Sequence, residues 1–302
     1  MLVAALLLLP ACGSAQHVVT DIEETFQGIE EIIVTGGSLE VSYEGAQKED
    51  LFLNAYLESN RKDGPEITYK REGKKLRVEY RRQDGGGWGN LRTKGFISLI
   101  GPEDMKMELI GTSGRILVSN VTSDKIELKV SSGKIEARNL ASDKIRLSSS
   151  SGKIEVEQVS GNVECFSSSG GGRISKVNGN VSVEASSGSY AIAEVEGRVD
   201  GAVSSGSISL DWVEQLGKLS LSSGSIKATN AGLGETTRFN GSSGSFNIQV
   251  KQPLEDFNFD LSASSGSLQV GQTKTVKRLH IDNESPMTVT GSVSSGRISI
   301  QQ

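Results

Sequence analysis

The side chains that could carry out acid–base, nucleophilic or metal chemistry are few in this chain. There are two histidines, His17 and His280, and two cysteines, Cys12 and Cys165. No two of these residues have the spacing of a metal site or of a histidine-centred catalytic group. We therefore predict no catalytic residue, no metal and no cofactor, and we expect both histidines to lie at the surface.

Cys165 ends the segment Gly161-Asn162-Val163-Glu164-Cys165, in which it is in step with Val163. Residues two apart in a strand face the same side, so a cysteine in step with a valine points inward. We interpret Cys165 as a buried small hydrophobic residue and not as a nucleophile.

The other cysteine follows a short apolar stretch, Met1–Leu9. Such a stretch is too short to span a bilayer, but it suits the apolar core of a secretory signal. The segment Leu9-Pro10-Ala11-Cys12 resembles the bacterial lipobox, in which cleavage precedes the cysteine and its thiol receives a lipid. We predict a signal peptide over residues 1–11 and a lipidated Cys12 with a polar tether over residues 12–25. The alternative is an ordinary signal cleaved near Ala15.

A sequence repeat predicts the strands and turns that would position any functional side chain. A cluster that is usually Ser-Ser-Gly, followed by one residue and a large apolar one, recurs ten times. Its glycines, which we expect to occupy structural turns, are Gly114, Gly133, Gly152, Gly188, Gly206, Gly224, Gly244, Gly266 and Gly296, with a looser copy at Gly170. Subtracting successive numbers gives intervals of 19, 19, 18, 18, 18, 18, 20, 22 and 30 residues.

A period near twenty residues is typical of a solenoid. We predict an all-β fold, a single-chain parallel β-helix (β-solenoid) of about 18–20 residues per coil. We expect a right-handed coil because parallel crossovers favour that hand. The serine hydroxyls next to each glycine are expected to bond to the next coil.

Each coil has two short strands whose side chains alternate between interior and surface. The inward residues are predicted to include Ile126, Leu128, Val130, Ile135 and Ala137. The outward residues are predicted to include Lys125, Glu127, Lys129, Lys134, Glu136 and Arg138.

The chain divides into two regions, one in which the repeat is not visible and one in which it is regular. Residues 26–110 show strand signals without the repeat, including a hairpin around Gly73, and are predicted to form a β-rich N-terminal cap. Residues 111–302 are predicted to form the regular β-helix, with an inserted strand or loop near 271–292. The final coil is then either covered by that insertion or open to end-to-end contact between copies.

The net charge of −5 offers no surface to neutralise phosphates, so we expect no nucleic-acid partner. Sugar binding normally uses exposed aromatic platforms, but aromatic residues are only 5% of the chain and Trp88 and Trp212 are isolated, which argues against a carbohydrate-active enzyme.

The lipobox-like start, the β-rich lead-in and the ten copies of the serine-glycine cluster, typified by Ser-Ser-Gly-x-Ile, together resemble the bacterial "putative adhesin" family of unknown function. A related family is the "putative auto-transporter adhesin, head GIN domain" family. The resemblance covers residues 26–302. It implies an exported, lipid-anchored β-helical protein without established catalytic residues.

We therefore predict a non-enzymatic cell-envelope lipoprotein, a β-helical rod for adhesion or scaffolding. Its partners would be the membrane, through the lipid anchor, and surface glycans or other envelope proteins. It would face the periplasm or the cell surface at the outer membrane. A carbohydrate-active β-helix enzyme is one alternative, and a filament built by end-to-end self-association is another.

Overall fold

The computed structural model describes residues 16–61, 64–82 and 91–302, and these residues form strands almost throughout. The predicted signal peptide over 1–11 and the lipidated Cys12 lie outside the described residues. The lead-in contains β1 (His17–Phe26), β2 (Glu31–Gly37), β3 (Glu40–Ala46), β4 (Leu51–Ser59), β5 (Glu66–Glu72), β6 (Lys75–Arg81) and β7 (Thr93–Pro102).

The repeat region follows the lead-in. It contains β8 (Lys106–Gly111), β9 (Arg115–Thr122), β10 (Ile126–Val130), β11 (Lys134–Ser149), β12 (Lys153–Ser167), β13 (Gly171–Asn178), β14 (Val181–Ala231), β15 (Arg238–Gly241) and β16 (Ser245–Val250). After a short 3-10 helix (Leu254–Asp256), the chain ends with β17 (Asn258–Ala263), β18 (Ser267–Val270), β19 (Thr273–Thr275), β20 (Arg278–Ile281), β21 (Thr288–Val293) and β22 (Arg297–Gln301). All 22 described strands belong to one hydrogen-bonded sheet.

Successive coils pair in parallel and in register. Ile126 of β10 lies beside Ile145 of β11, Ile145 lies beside Val163 of β12, and Val163 lies beside Val181 of β14. The offsets of 19 (145−126), 18 (163−145) and 18 (181−163) residues match the sequence period. The predicted all-β, solenoid-like fold is confirmed.

The core is a continuous apolar column inside the coils. The predicted inward residues Ile126, Leu128, Val130, Ile135 and Ala137 are all at most 5% exposed, which confirms their orientation. A strand of five residues buries too little surface to be stable alone, so each apolar face depends on the coils above and below it. Near the C-terminus, aromatic rings fill this column.

Parallel stacking begins before the repeat is visible in the sequence. β2 pairs with β8 on one side and with β6 on the other, and β3 lies in the same way between β9 and β7. Residues 31–46 therefore form a coil of the same stack. Two of their glycines, Gly36 and Gly37, precede Ser38-Leu39 in a variant of the repeat that lacks the serine pair.

Antiparallel strands cover the N-terminal end of the stack. The hairpin predicted around Gly73 is present as β5 and β6, while β4 pairs antiparallel with both β7 and β1. The predicted tether over 12–25 needs correction from His17 onward, because His17–Phe26 is strand β1. Val19 and Ile22 pack against the core, and their apolar contacts hold this segment in the cap.

The final coil is not at the C-terminal end of the stack. β22 lies between β16 and β18, so that Ile298 is beside Phe246 on one side and Leu268 on the other. β21 lies between β15 and β17 in the same way. β19 and β20, from the predicted insertion, pair antiparallel with β18 and β17. The final coil is therefore covered on both sides by other strands of the same chain.

The turn glycines form a column that follows this coil order. A Cβ added at Gly133 would overlap the carbonyl oxygen of Gly114, and one at Gly152 would overlap that of Gly133. At the C-terminal end Gly296 lies against Gly244, and Gly266 lies against Gly296. Only glycine, which has no side chain, therefore fits at this corner without displacing the neighbouring coil.

We predict that Gly133→Ala lowers the free energy of unfolding by about 1–3 kcal/mol, because the new methyl group must displace backbone of the adjacent coil. The matched control is Gly111→Ala, whose Cβ would lie 3.5 Å from Cγ1 of Val130, an ordinary contact. Urea unfolding followed by circular dichroism measures both changes. Equal stability of the two variants would contradict the close approach of successive coils.

Candidate functional site

The Ser-Ser-Gly turns stack into one edge of the solenoid, which we call the serine corner. The backbone N–H of Ser151 donates to the carbonyl oxygen of Ser131 at 2.7 Å, and that of Ser169 donates to Ser150 at 2.6 Å. The N–H of Ser187 donates to Ser168 at 2.7 Å. Backbone bonds therefore join the coils at this corner.

In the seven turns between residues 131 and 244 the first serine is exposed to solvent. These exposed residues are Ser131, Ser150, Ser168, Ser186, Ser204, Ser222 and Ser242. None of their hydroxyls has a hydrogen-bond partner among the described residues, so the expected hydroxyl ladder is absent from this column. A bond of that kind occurs after the glycine, where Ser207 Oγ donates to Ser189 Oγ at 3.0 Å.

The exposed serines line a long shallow groove of about 1030 Å³, the serine groove, which extends from Ile110 to Ser292. Its other wall consists of outward residues of the strands that precede the turns. Among its lining residues only Lys129 and Glu184 carry charge, and Phe166 is the one aromatic ring. The groove is thus nearly neutral, rich in hydroxyls and continuous across the coils.

A ladder of ion pairs crosses the early coils on another face. Arg115 holds Glu136 through two bonds, Nε to Oε1 at 2.9 Å and Nη2 to Oε2 at 2.6 Å. Lys134 lies 2.6 Å from Glu136 and 2.7 Å from Glu155, and Lys153 lies 2.6 Å from Glu155.

The prediction that Glu136 points outward is wrong in one respect, because its side chain is buried, with the residue 8% exposed. The cations of Arg115 and Lys134 satisfy both carboxylate oxygens, which offsets the cost of removing the charge from water. The hydrogen bond from Arg115 also lowers the pKa of Glu136 from its ordinary value. Alternation alone could not reveal this, since it does not show which long side chains fold over their neighbours.

Cys165 lies in the core, as predicted, and is 1% exposed. Its Sγ donates to the hydroxyl oxygen of Tyr190 at 3.7 Å. Burial raises the pKa of the Cys165 thiol to about 12. At neutral pH the group is therefore a thiol and not the thiolate that attacks electrophiles.

The two histidines lie at opposite ends of the stack. His17 is in β1, the outer strand of the N-terminal cap, and His280 is an exposed residue of β20 in the C-terminal cap. Within the described ranges no group of three His, Cys, Asp or Glu side chains is placed to hold a metal ion. Among the described residues, His17, His280 and Cys165 are therefore not brought together.

A second corner was not anticipated from the sequence. Seven residues at the opposite turn of the coil have left-handed backbone angles, with φ between 51° and 59°; they are Asn120, Asn139, Gln158, Lys176, Glu194, Trp212 and Asn230. We call this column the left-handed corner. Each member follows a turn glycine by six positions, as in 120−114 and 212−206. The constant spacing of six residues after each glycine could have revealed this corner in the sequence. The residue type at that position changes from coil to coil, so no motif marks it.

One family model, described as Toastrack DUF4097, matches residues 29–301 of the chain. No curated protein matches the chain. Several solved structures are similar in fold. One, described as a "putative adhesin" from Bacteroides fragilis NCTC 9343, has 14% identity and a TM-score of 0.39, and the match covers 93% of this chain and 97% of that one.

Two further structures come from Parabacteroides. A "putative lipid binding protein" from Parabacteroides distasonis ATCC 8503 has 16% identity, coverage of 93% and 97%, and a TM-score of 0.43. A "putative adhesin" from Parabacteroides merdae ATCC 43184 has 11% identity, coverage of 94% and 96%, and a TM-score of 0.46.

The ion-pair ladder gives a pH prediction. Hydrogen bonds from Lys134 and Lys153 lower the pKa of Glu155 to about 2 from its ordinary 4.5. A carboxylate whose pKa is lower in the folded state adds stability above its unfolded pKa and loses it as the pH falls towards the folded value. We expect Tm to fall between about pH 5 and pH 2, and Glu155→Gln to reduce that fall by roughly 2 °C.

The control is Glu235→Gln, which removes an exposed carboxylate that has no ion pair among the described residues. Differential scanning calorimetry across this pH range compares the three proteins. A fall in Tm that is the same in Glu155→Gln as in the original chain would exclude a stabilising role for the ladder.

Proposed function

The chain belongs to the Toastrack DUF4097 family, and we propose that it is a non-enzymatic cell-envelope lipoprotein that mediates adhesion or scaffolding through the polar surfaces of its solenoid. The contact surface in this proposal is the serine groove. The proposal includes a right-handed coil of about 18–20 residues, because parallel crossovers favour that hand.

The observation that carries this proposal is the continuity of the serine groove over successive coils. A shallow, nearly neutral row of hydroxyls can form many weak hydrogen bonds along an extended partner, such as a glycan or an envelope protein. Catalysis instead depends on a few groups converging on one reacting atom. The buried, protonated Cys165 and the separation of His17 from His280 support a binding role.

The envelope location in this proposal depends on the N-terminal segment. Residues 1–11 would be the signal peptide, Cys12 would carry the lipid, and a short linker would lead to β1. No described segment forms a helix with the length and apolar character needed to cross a bilayer. In the proposal, attachment to the membrane therefore comes from the acyl chains.

We predict that Ser168→Arg combined with Ser204→Arg reduces binding to intact bacterial cells at least fivefold, because two long cations obstruct the groove. Labelled full-length protein and flow cytometry provide the measurement. The matched control is Ser160→Arg combined with Ser209→Arg, two exposed serines outside the groove. It carries the same added charge and should bind like the original protein.

Two results would overturn the proposal. One is equal binding by the groove variant and the control variant. The other is turnover: incubation with neutral and acidic glycans that produces new reducing ends or unsaturated products would favour the carbohydrate-active enzyme.

For the anchor, we predict that Cys12→Ala abolishes incorporation of a clickable fatty acid and moves the protein from the membrane to the soluble fraction. The lost acyl chains supply the apolar surface that holds the protein to the bilayer. Cys165→Ala is the matched control, since that cysteine is buried in the core and should leave labelling unchanged. Unaltered membrane association of Cys12→Ala would contradict lipidation.

A further inference from the structure

Trp212 is an unusual member of the left-handed corner. The other six residues of that column are polar, and three of them are asparagines, which tolerate left-handed backbone better than most residues. A bulky aromatic residue with φ of 54° carries a conformational cost that its local sequence does not relieve.

Burial does not compensate for that cost, because Trp212 is 61% exposed. The other large hydrophobic residues that are exposed among those described are Val18, Tyr69, Phe96 and Val276, all in the lead-in or C-terminal segments. Trp212 is therefore the one large apolar side chain presented to solvent by the regular coils within the described ranges. The Trp212 side chain therefore contributes little to the stability of the core, and its role is a different one.

Trp212 stands over a groove of about 440 Å³, which we call the Trp212 groove, and this volume suits a small ligand. The buried side chains of Val177, Val195 and Val213 form its floor. The rim is polar and includes Glu194, one coil away from Trp212 in the same column.

Some charged residues that line the Trp212 groove form ion pairs, and others do not. Lys176 contacts Glu157 at 2.8 Å, and Lys251 pairs with Glu214. Glu194 interacts electrostatically with Lys176, but neither Glu194 nor Glu196 forms an ion pair or a side-chain hydrogen bond among the described residues, so both carboxylates can accept hydrogen bonds from a ligand. Such groups accept hydrogen bonds from hydroxyls and repel anionic ligands.

We propose that the Trp212 groove binds a neutral pyranose unit of a glycan, with the C–H face of the sugar stacked on the indole ring. Glu194 accepts hydrogen bonds from the sugar hydroxyls. A pyranose has the apolar face and hydroxyl edge that match one aromatic platform beside carboxylates. A protein interface needs a far larger apolar area than one ring supplies. An acyl chain would leave the rim carboxylates without partners.

This inference goes beyond the proposed function, because the Trp212 groove and the serine groove have no lining residue in common. Failure at one groove therefore leaves the other unaffected. The serine groove variant should still bind the sugar, and Trp212→Ala should still bind cells through the serine groove.

Isothermal titration of the full chain with cellohexaose and chitohexaose tests the inference, with hexagalacturonate as the acidic comparison. We expect saturable binding of at least one neutral hexasaccharide and at least tenfold weaker binding of hexagalacturonate. Trp212→Ala should weaken neutral binding roughly tenfold or more, while Trp212→Tyr retains part of it. Glu194→Gln should weaken it less.

Trp88→Phe is the control for the loss of the other tryptophan and should bind like the original chain. The Tm of Trp212→Ala should not fall, since the exposed ring contributes little to the core. The inference is overturned by absence of saturable binding to both neutral sugars, by unchanged affinity in Trp212→Ala, or by a preference for hexagalacturonate. A dimer in sedimentation velocity that Trp212→Ala dissolves would also overturn it, because the occupant would then be a second copy.

Discussion

The close approach of one coil's backbone to the next at the serine corner is the constraint on which the rest of this molecule depends. At each glycine of the column, a carbonyl oxygen of the neighbouring coil occupies the place of a side chain. That contact sets the parallel register, and the register keeps apolar residues above apolar residues throughout the core. A side chain at this corner would separate the coils and weaken hydrogen bonds and core contacts together.

A stack held in this way has two ends, and each end would expose apolar surface and unpaired strand edges. The chain covers both ends with antiparallel strands, β4 and β1 at the N-terminal end, β19 and β20 at the C-terminal end. At both ends the coil order in space departs from the order in sequence. The coil of residues 31–46 lies between later strands, and the final coil lies between two earlier ones.

The sequence predicted what is local and periodic. The serine-glycine repeat predicted the coil length, and alternation predicted the interior positions of Ile126, Leu128 and Ile135 and the burial of Cys165. It could not predict that Ile298 inserts between Phe246 and Leu268, because nothing in a repeat specifies which copy follows which in space. Nor could it predict the burial of Glu136, which depends on one cation from its own strand, Lys134, and one from the neighbouring coil, Arg115.

The same constraint explains where variation in this fold is tolerated. The coils are joined mainly by backbone bonds and by the core, while side chains at the left-handed corner add local bonds between coils, such as the one that Asn139 Nδ2 donates to Asn120 Oδ1 at 2.8 Å. At the left-handed corner the position following each glycine by six residues is occupied by asparagine, glutamine, lysine, glutamate or tryptophan without a change in φ. Five residue types share nearly the same φ at this position, so the residue type can vary from coil to coil while the backbone stays the same. Differences between coils at the corners, and not the coils themselves, are therefore where specificity can reside.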